Sequence, residues 1–312
     1  MYRKSYNRAV LRVRITTVTP LRIGAGDVGL DPSGADLTCV RTRHATHGAT
    51  VYIPGSSLKG VVRASAEASV RGQRVAGRLG ACDDSLDPIN SCTARLSSGR
   101  SVARDTPTHE IYKAHCLACR LFGSQQLKGR ASLRDLFPWS DDPGADATFA
   151  PRGENEVSAN RLELRHGVAI DRILGSVRRG SLFDQELVPA GVAFFGDIAL
   201  ENYQLWQLGL IAVAFDQLNS GIAQLGSSKS RGLGVVRVVV EEIVHEQAGR
   251  EPRPCGVGAL ATPEERMAYD LTAEPPLPAA EGVPHGLATR FIVRSEADTW
   301  LGAARNALGG LQ

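Results

Sequence analysis

Residues 192–243 read VAFFGDIALENYQLWQLGLIAVAFDQLNSGIAQLGSSKSRGLGVVRVVVEEI, and this stretch decides the fold. Residues 192–200 have the apolar content of a strand. Residues 203–218 have the length of a core helix, with Leu205, Leu208, Ile211, Val213, Phe215 and Leu218 at its apolar positions. After the loop LGSSKSRGLG, residues 235–243 form a β-branched strand. Strand, helix and strand in this order make one half of a split α+β unit.

The other half lies upstream. Residues 10–18 alternate, with Leu11, Val13 and Ile15 on one face and Arg12, Arg14 and Thr16 on the other, so the polar face of this strand is basic. Ser56 and Ser57 offer an N-cap to a helix over 58–70, which Gly72 ends; Lys59 and Arg63, four apart, share one face of it. Strand-like pieces punctuated by Arg161, Arg165, Arg172, Arg178 and Arg179 predict a long arginine-bearing hairpin. The order strand, helix, strand, strand, helix, strand predicts an α+β, ferredoxin-like βαββαβ fold with insertions after the first strand and the first helix. Residues 137–160 read as a loop. Residues 246–287, rich in Pro, Gly, Ala and Glu, read as a linker to a short C-terminal element.

A chain of 312 residues with 43% hydrophobic content can bury a sizeable core. It has no apolar run of the roughly 18 residues a membrane span needs, and its charged start does not suit a signal peptide, so a cytoplasmic protein is expected. The net charge is only +3, but five lysines among 36 basic residues leave 31 arginines. Arginine's planar fork suits phosphate and stacks on bases, although a GC-rich genome would produce the same bias.

Four of the six cysteines, Cys82, Cys92, Cys116 and Cys119, have the spacing C-x9-C-x23-C-x2-C. Two thiolates of a Cys-x-x-Cys turn and two from a preceding loop make a tetrahedral zinc site with no open position, which is structural. His109 and His115 are alternative ligands for Cys82 or Cys92. Because residues 80–120 show little apolar periodicity, the metal would supply their folding energy. Cys39 and Cys255 read as ordinary thiols.

In residues 225–236, LGSSKSRGLGVV, the glycines Gly226, Gly232 and Gly234 surround Ser228, Lys229 and Arg231, exposing backbone N–H groups beside cations. Together with LRIGAGD, YIPGSSLKGVVR, CRLFG and the GVAIDR hairpin, this loop resembles the RAMP superfamily of CRISPR-associated proteins, and within it the backbone subunits of type III (Csm/Cmr-type) effector complexes. The resemblance runs in order from about residue 8 to 243.

The resemblance implies a ferredoxin-like, RRM-related palm over 1–245, a zinc-binding segment at about 76–136 and a thumb hairpin at about 160–190, with 246–312 left as linker and C-terminal tail. It implies a subunit that binds guide crRNA, meets complementary target RNA, and assembles with other effector subunits and further copies of itself or related backbone subunits. It also implies an essential aspartate in the first long loop. Asp36 falls at that position, with Asp27 and Asp31 earlier in the loop. Cleavage would be metal-dependent, with Mg or Mn, and would use the ribose 2′-hydroxyl to leave a 2′,3′-cyclic phosphate. Lys59 and Arg63, the hairpin arginines Arg161, Arg165, Arg172, Arg178 and Arg179, and the loop residues Gly226, Ser228, Lys229, Arg231 and Gly232 are the expected RNA contacts. Ile173 and Leu174 would wedge between bases at the hairpin tip. Two alternatives stay open: an architectural subunit in which Asp36 has no chemistry, and a repeat-RNA-processing endonuclease relying on histidine, tyrosine or lysine acid/base chemistry without metal, for which His44, His47, His109 and His115 offer no obvious dyad. Asp171 reads as a turn residue or a partner of Arg172 or Arg178.

Overall fold

The structure, a computed structural model, describes residues 3–24, 35–72, 80–82, 91–97, 106–140, 153–249 and 251–311, without the side chains of 95–97 and Arg179. Asp27 and Asp31 lie outside the described residues.

The first strand, β1 (Asn7–Thr17), buries Ala9, Leu11, Val13 and Ile15 and turns Arg8, Arg12 and Arg14 outward, as its period of two requires. A short hairpin of β2 (Arg41–His44) and β3 (Gly48–Val51) leads to α1 (Gly55–Arg71). This helix begins before the predicted cap. Pro54 is the N-cap, no side chain caps the first turn, and Ser56 and Ser57 lie inside it. Leu58, Val62, Ala66 and Val70, at spacings of four, face the core.

The cysteine-bearing segment supplies α2 (Cys92–Ser97), α3 (Thr108–Ala114) and α4 (Leu117–Phe122), and β4 (Ala131–Leu133) follows. Next come α5 (Glu154–Asn160) and the hairpin of β5 (Glu163–Ile170) and β6 (Val177–Leu187). The opening stretch folds as β7 (Ala193–Glu201), α6 (Leu205–Asn219) and β8 (Val236–Ala248). The chain ends with α7 (Val257–Leu260), α8 (Pro263–Tyr269), β9 (Gly282–His285), β10 (Ala288–Val293) and α9 (Ala297–Gly309).

A six-stranded sheet runs β4-β7-β1-β8-β10-β9, with every neighbouring pair antiparallel. Helix α6 is buried over most of its length, between α1 and α9. Gly209 permits the α9 contact: a Cβ there would lie 2.3 Å from the Ala304 carbonyl oxygen.

Three expectations need correction. Residues 246–312 are not merely linker and tail. Strands β10 and β9 extend the sheet from the edge of β8, and Phe291, Val293, Trp300, Leu301 and Ala304 enter the main core. Six alternating residues carry little signal until the strand they pair with is known. The cysteine segment, likewise, is not held by its cysteines alone, since all six residues of α4 are buried and Leu117, Leu121 and Phe122 join the same core. Part of the loop read at 137–160 is helical, as α5.

Candidate functional site

The β5–β6 hairpin is rooted by two bridges, Leu21 to Val188 and Leu37 to Gln185. The second sets Leu37 beside β6, and Asp36 Oδ2 accepts a hydrogen bond from the Asp184 backbone N–H at 2.9 Å. Asp36 is otherwise exposed. Opposite Asp184 on β5 stands His166, whose Nδ1 meets Asp184 Oδ1 at 2.5 Å. The hairpin root therefore brings Asp36, from the segment before Leu37, beside Asp184 of β6 and His166 of β5.

The glycine-rich loop lies beside this root. Ser227 N–H donates to the Arg22 carbonyl at 2.9 Å, and Arg22 Nη1 donates to Ser227 Oγ at 2.9 Å. Gly226 has φ 80°, and a Cβ there would sit 2.2 Å from the Arg22 oxygen, so its glycine requirement comes from this docking. Lys229 and Arg231 form an exposed 3-10 turn flanked by Ser228 and Gly232, both with positive φ. The Arg231 guanidinium stands 6.0 Å from the centre of the Phe183 ring, next to Asp184.

Along the hairpin, Arg161, Arg165, Arg172 and Arg178 are exposed and make no ion pair among the described residues. Arg179 lies on β6, with its side chain outside the description. At the tip, Asp171 Oδ1 accepts from the N–H groups of Ile173 and Leu174 at 2.9 and 3.0 Å, and these bonds hold its carboxyl below the usual range. Asp171 is thus a turn residue. It leaves Ile173 95% and Leu174 76% exposed, an apolar tip without a core to join.

On α1, Lys59 and Arg63 do face the same cleft of about 820 Å³, as their spacing predicts, but they differ in state. Lys59 is half-buried without an ion pair among the described residues, and burial together with the Arg63 charge lowers its pKa. Arg63 is committed to the protein. Its Nε binds Glu67 at 2.7 Å, Nη1 the Gly123 carbonyl at 3.2 Å and Nη2 the Cys119 sulfur at 3.4 Å. The expectation of an RNA-contacting Arg63 meets a side chain whose donors are already engaged.

Cys82, Cys92 and Cys119 line one side of the cleft, and Cys116 stands with them. Their sulfurs all lie within 4.8 Å of one another, and all four residues are buried. Four thiolates at Zn–S distances of about 2.3 Å stand about 3.8 Å apart in a tetrahedron. Cys82 and Cys119 sulfurs are 3.7 Å apart. The Cys116 N–H donates to Cys92 Sγ at 3.2 Å and the Cys119 N–H to Cys116 Sγ at 3.4 Å, bonds that favour the thiolate form of both sulfurs. Hydrogen bonds from the Cys116 and Cys119 side chains pull the Cys92 thiol down to about 4. This buried cluster could hold a metal ion. Neither histidine alternative joins it: His115 is bonded to the Ile111 carbonyl and Ser124, and the cluster among the described residues contains cysteines alone. Burial pushes Cys39 and Cys255 up to about 11, as expected of ordinary thiols.

The family model of the RAMP superfamily matches residues 14–237, from β1 through the hairpin to the start of β8. The chain belongs to the RAMP superfamily. It is also similar to the CRISPR system Cms endoribonuclease Csm3 of Methanocaldococcus jannaschii, with 25% identity over 232 residues, 74% of this chain and 78% of that protein. Among the described residues, no helix of this RAMP protein is long and apolar enough to cross a membrane.

Two features of this RAMP protein escaped the sequence. The basic face of β1 is neutralised, because Arg8, Arg12 and Arg14 pair with Glu246, Glu242 and Glu241 of β8 at 2.5, 3.1 and 2.6 Å. And a histidine dyad exists after all, His166 with Asp184, on opposite strands of the hairpin and 18 residues apart. The only signal for it is the antiparallel register, which a single sequence does not state.

Proposed function

We propose that this RAMP-superfamily chain is a guide-crRNA-binding backbone subunit of a type III CRISPR effector complex, and that it cleaves complementary target RNA through Asp36. The observation that carries the reading is the hydrogen bond that holds the exposed Asp36 carboxylate against Asp184 at the root of an arginine-bearing hairpin. A carboxylate by itself repels a phosphodiester, so a divalent cation would have to stand between them. The similarity to a protein named as an endoribonuclease of a CRISPR system supports the same reading.

In it, β1, α1, β4, β7, α6 and β8 form a ferredoxin-like palm over residues 1–245, which the antiparallel strand order β8-β1-β7-β4 supports. The β5–β6 hairpin is the thumb, with Arg161, Arg165, Arg172, Arg178 and Arg179 on RNA phosphates, joined by Lys59, Ser228, Lys229 and Arg231. Further effector subunits and copies of the chain flank it in the cytoplasm. Structural zinc at Cys82, Cys92, Cys116 and Cys119 closes the side of α1, and the purified protein should contain one zinc per chain. Mg or Mn near Asp36, held also by RNA oxygens and water, would offset phosphate charge during cleavage.

A second reading has its own observation. The bond from Asp184 N–H gives Asp36 a role in anchoring the hairpin, which an architectural subunit would need and a catalyst would not. Asp36→Asn separates the two, since an amide oxygen keeps the acceptor and loses the charge. In the reconstituted complex with guide, labelled target and Mg²⁺, the catalytic reading expects regularly spaced cuts that vanish in Asp36→Asn with target affinity unchanged. Cuts at the wild-type rate in that variant assign Asp36 to architecture.

A further inference from the structure

We infer that His166 is a second catalytic residue of this site, the general base for the 2′-hydroxyl, and that Asp184 is its positioning residue. The inference rests on the reading that the hairpin root receives target RNA for cleavage.

The geometry starts from the register of the hairpin. His166 and Asp184 are directly opposed on β5 and β6, so their side chains leave the same face, and Nδ1 meets Asp184 Oδ1 at 2.5 Å. A carboxylate on Nδ1 accepts its proton and fixes the tautomer in which Nε2 carries the free lone pair. Among the described residues Nε2 has no hydrogen-bond partner, and the side chain is 66% exposed. The imidazole is thus oriented at one nitrogen and open at the other, as a base must be. Asp184 is itself held, because its N–H is bound by Asp36 and its carbonyl accepts from Leu37 N–H at 3.0 Å. On the other side Gly167, next to His166, leaves room for the Phe183 ring, over which Arg231 lies. The charged groups on the imidazole's face of the hairpin are Asp184 opposite it and Glu186, two residues along β6 and paired with Arg41 at 2.9 Å, with Asp36 reaching the Asp184 amide; Arg231, over the Phe183 ring, lies on the other face.

The step balances without an added oxidant or reductant. His166 Nε2 takes the proton of the ribose 2′-hydroxyl as the O2′–P bond forms. The P–O5′ bond breaks, and the 5′-oxygen leaves with a proton from water. The hydroxide so formed recovers the proton from Nε2, leaving a 2′,3′-cyclic phosphate and a 5′-hydroxyl.

The test is single-turnover cleavage of labelled complementary RNA by the complete reconstituted complex across pH 5.5 to 8.5, with target affinity measured in parallel. The proteins are wild type, His166→Gln, Asp184→Asn and Asp36→Asn. His166→Gln should cut about 100-fold more slowly with target affinity within twofold, and the pH dependence of cleavage should flatten. Asp184→Asn should slow cleavage by a smaller factor and keep a pH dependence that His166→Gln loses. Wild-type rate and pH profile in His166→Gln, with Asp36→Asn silent, overturn the inference and leave the proposed function standing. Slow cleavage in His166→Gln with wild-type cleavage in Asp36→Asn supports the inference and removes Asp36 from the chemistry. Weakened target affinity in His166→Gln equal to its rate loss makes the residue a binding group and overturns the inference, as does a wild-type complex that cuts nothing.

Discussion

On β1, Arg8, Arg12 and Arg14 stand beside Glu246, Glu242 and Glu241 of β8, and Arg290 of β10 and Arg294 just beyond it approach Glu246 and Glu242 from the other side. On the β5–β6 hairpin, Arg165, Arg172 and Arg178 project into solvent with no ion pair among the described residues. Both regions are strand segments carrying outward arginines. The first is a grid in which charge alternates strand by strand, with Glu246 and Glu242 each shared by two guanidinium groups. The second keeps its charge available. A cation already facing a carboxylate at 2.5 to 3.1 Å releases little on meeting a phosphate, whereas a solvated one releases a condensed counterion from the nucleic acid. Under the proposed function RNA belongs to the hairpin and its root, while the sheet-face arginines hold β1, β8 and β10 in register.

The largest expected effect separates the two regions directly. Replacing Arg165, Arg172 and Arg178 together by alanine should weaken RNA binding by roughly tenfold to a hundredfold at moderate salt and flatten the salt slope by about 2, with melting little changed. Replacing Arg8, Arg12 and Arg14 should do the reverse, lowering the melting temperature and leaving the salt slope intact. Salt titrations of both triple variants check this, and equal slopes would break the comparison.

A smaller effect should come from the glutamates. Glu242 is only 8% exposed and holds Arg12 at 3.1 Å and Arg294 at 2.8 Å. Glu242→Gln should cost about 1–2 kcal/mol by denaturant unfolding and release two arginines. RNA affinity should rise, because the sheet face would then behave like the hairpin.

The acid response sharpens the same point. Burial pushes the Glu246 carboxyl up, but hydrogen bonds from Arg8 and Arg290 outweigh it and hold the carboxyl below its ordinary value. A depressed folded value contributes stability above the unfolded value, about 4.3 for glutamate, and that stability is lost as pH falls through the folded value. The stability difference between wild type and Glu246→Gln should therefore be full at neutral pH and shrink below about pH 4. Unfolding curves across this range test it.

The smallest effect concerns the loop between the regions. Gly232 has φ 81° and nothing within 4 Å of the point where a methyl group would stand, so Gly232→Ala should cost only about 1 kcal/mol through backbone strain. Any loss of RNA affinity beyond that of a strained loop would show that its backbone approaches the phosphates closely.

Much of the architecture is legible in the sequence. The alternation in β1, the length of α6 and the β-branched run of β8 are local signals, and each element forms within a few residues of its expected bounds. The cysteine spacing likewise identifies the four residues that cluster. The role of residues 246–312 cannot be read in this way, because β10 is recognisable only beside the exposed edge of β8 and α9 only against Gly209 of α6. At the candidate site, Asp36 is found through motif order, while its contact with Asp184 and the pairing of Asp184 with His166 depend on hairpin register.

The sequence by itself determined which residues alternate, which turn and which cysteines converge, because these follow from backbone periodicity and steric preference over short spans. Only the tertiary structure decided which arginines are free, which is why Arg63 and Arg12 part company with Arg165 and Lys59. The field at a guanidinium is set by whatever lies within a few ångströms, and for Arg8 that neighbour is Glu246, 238 residues away along the chain.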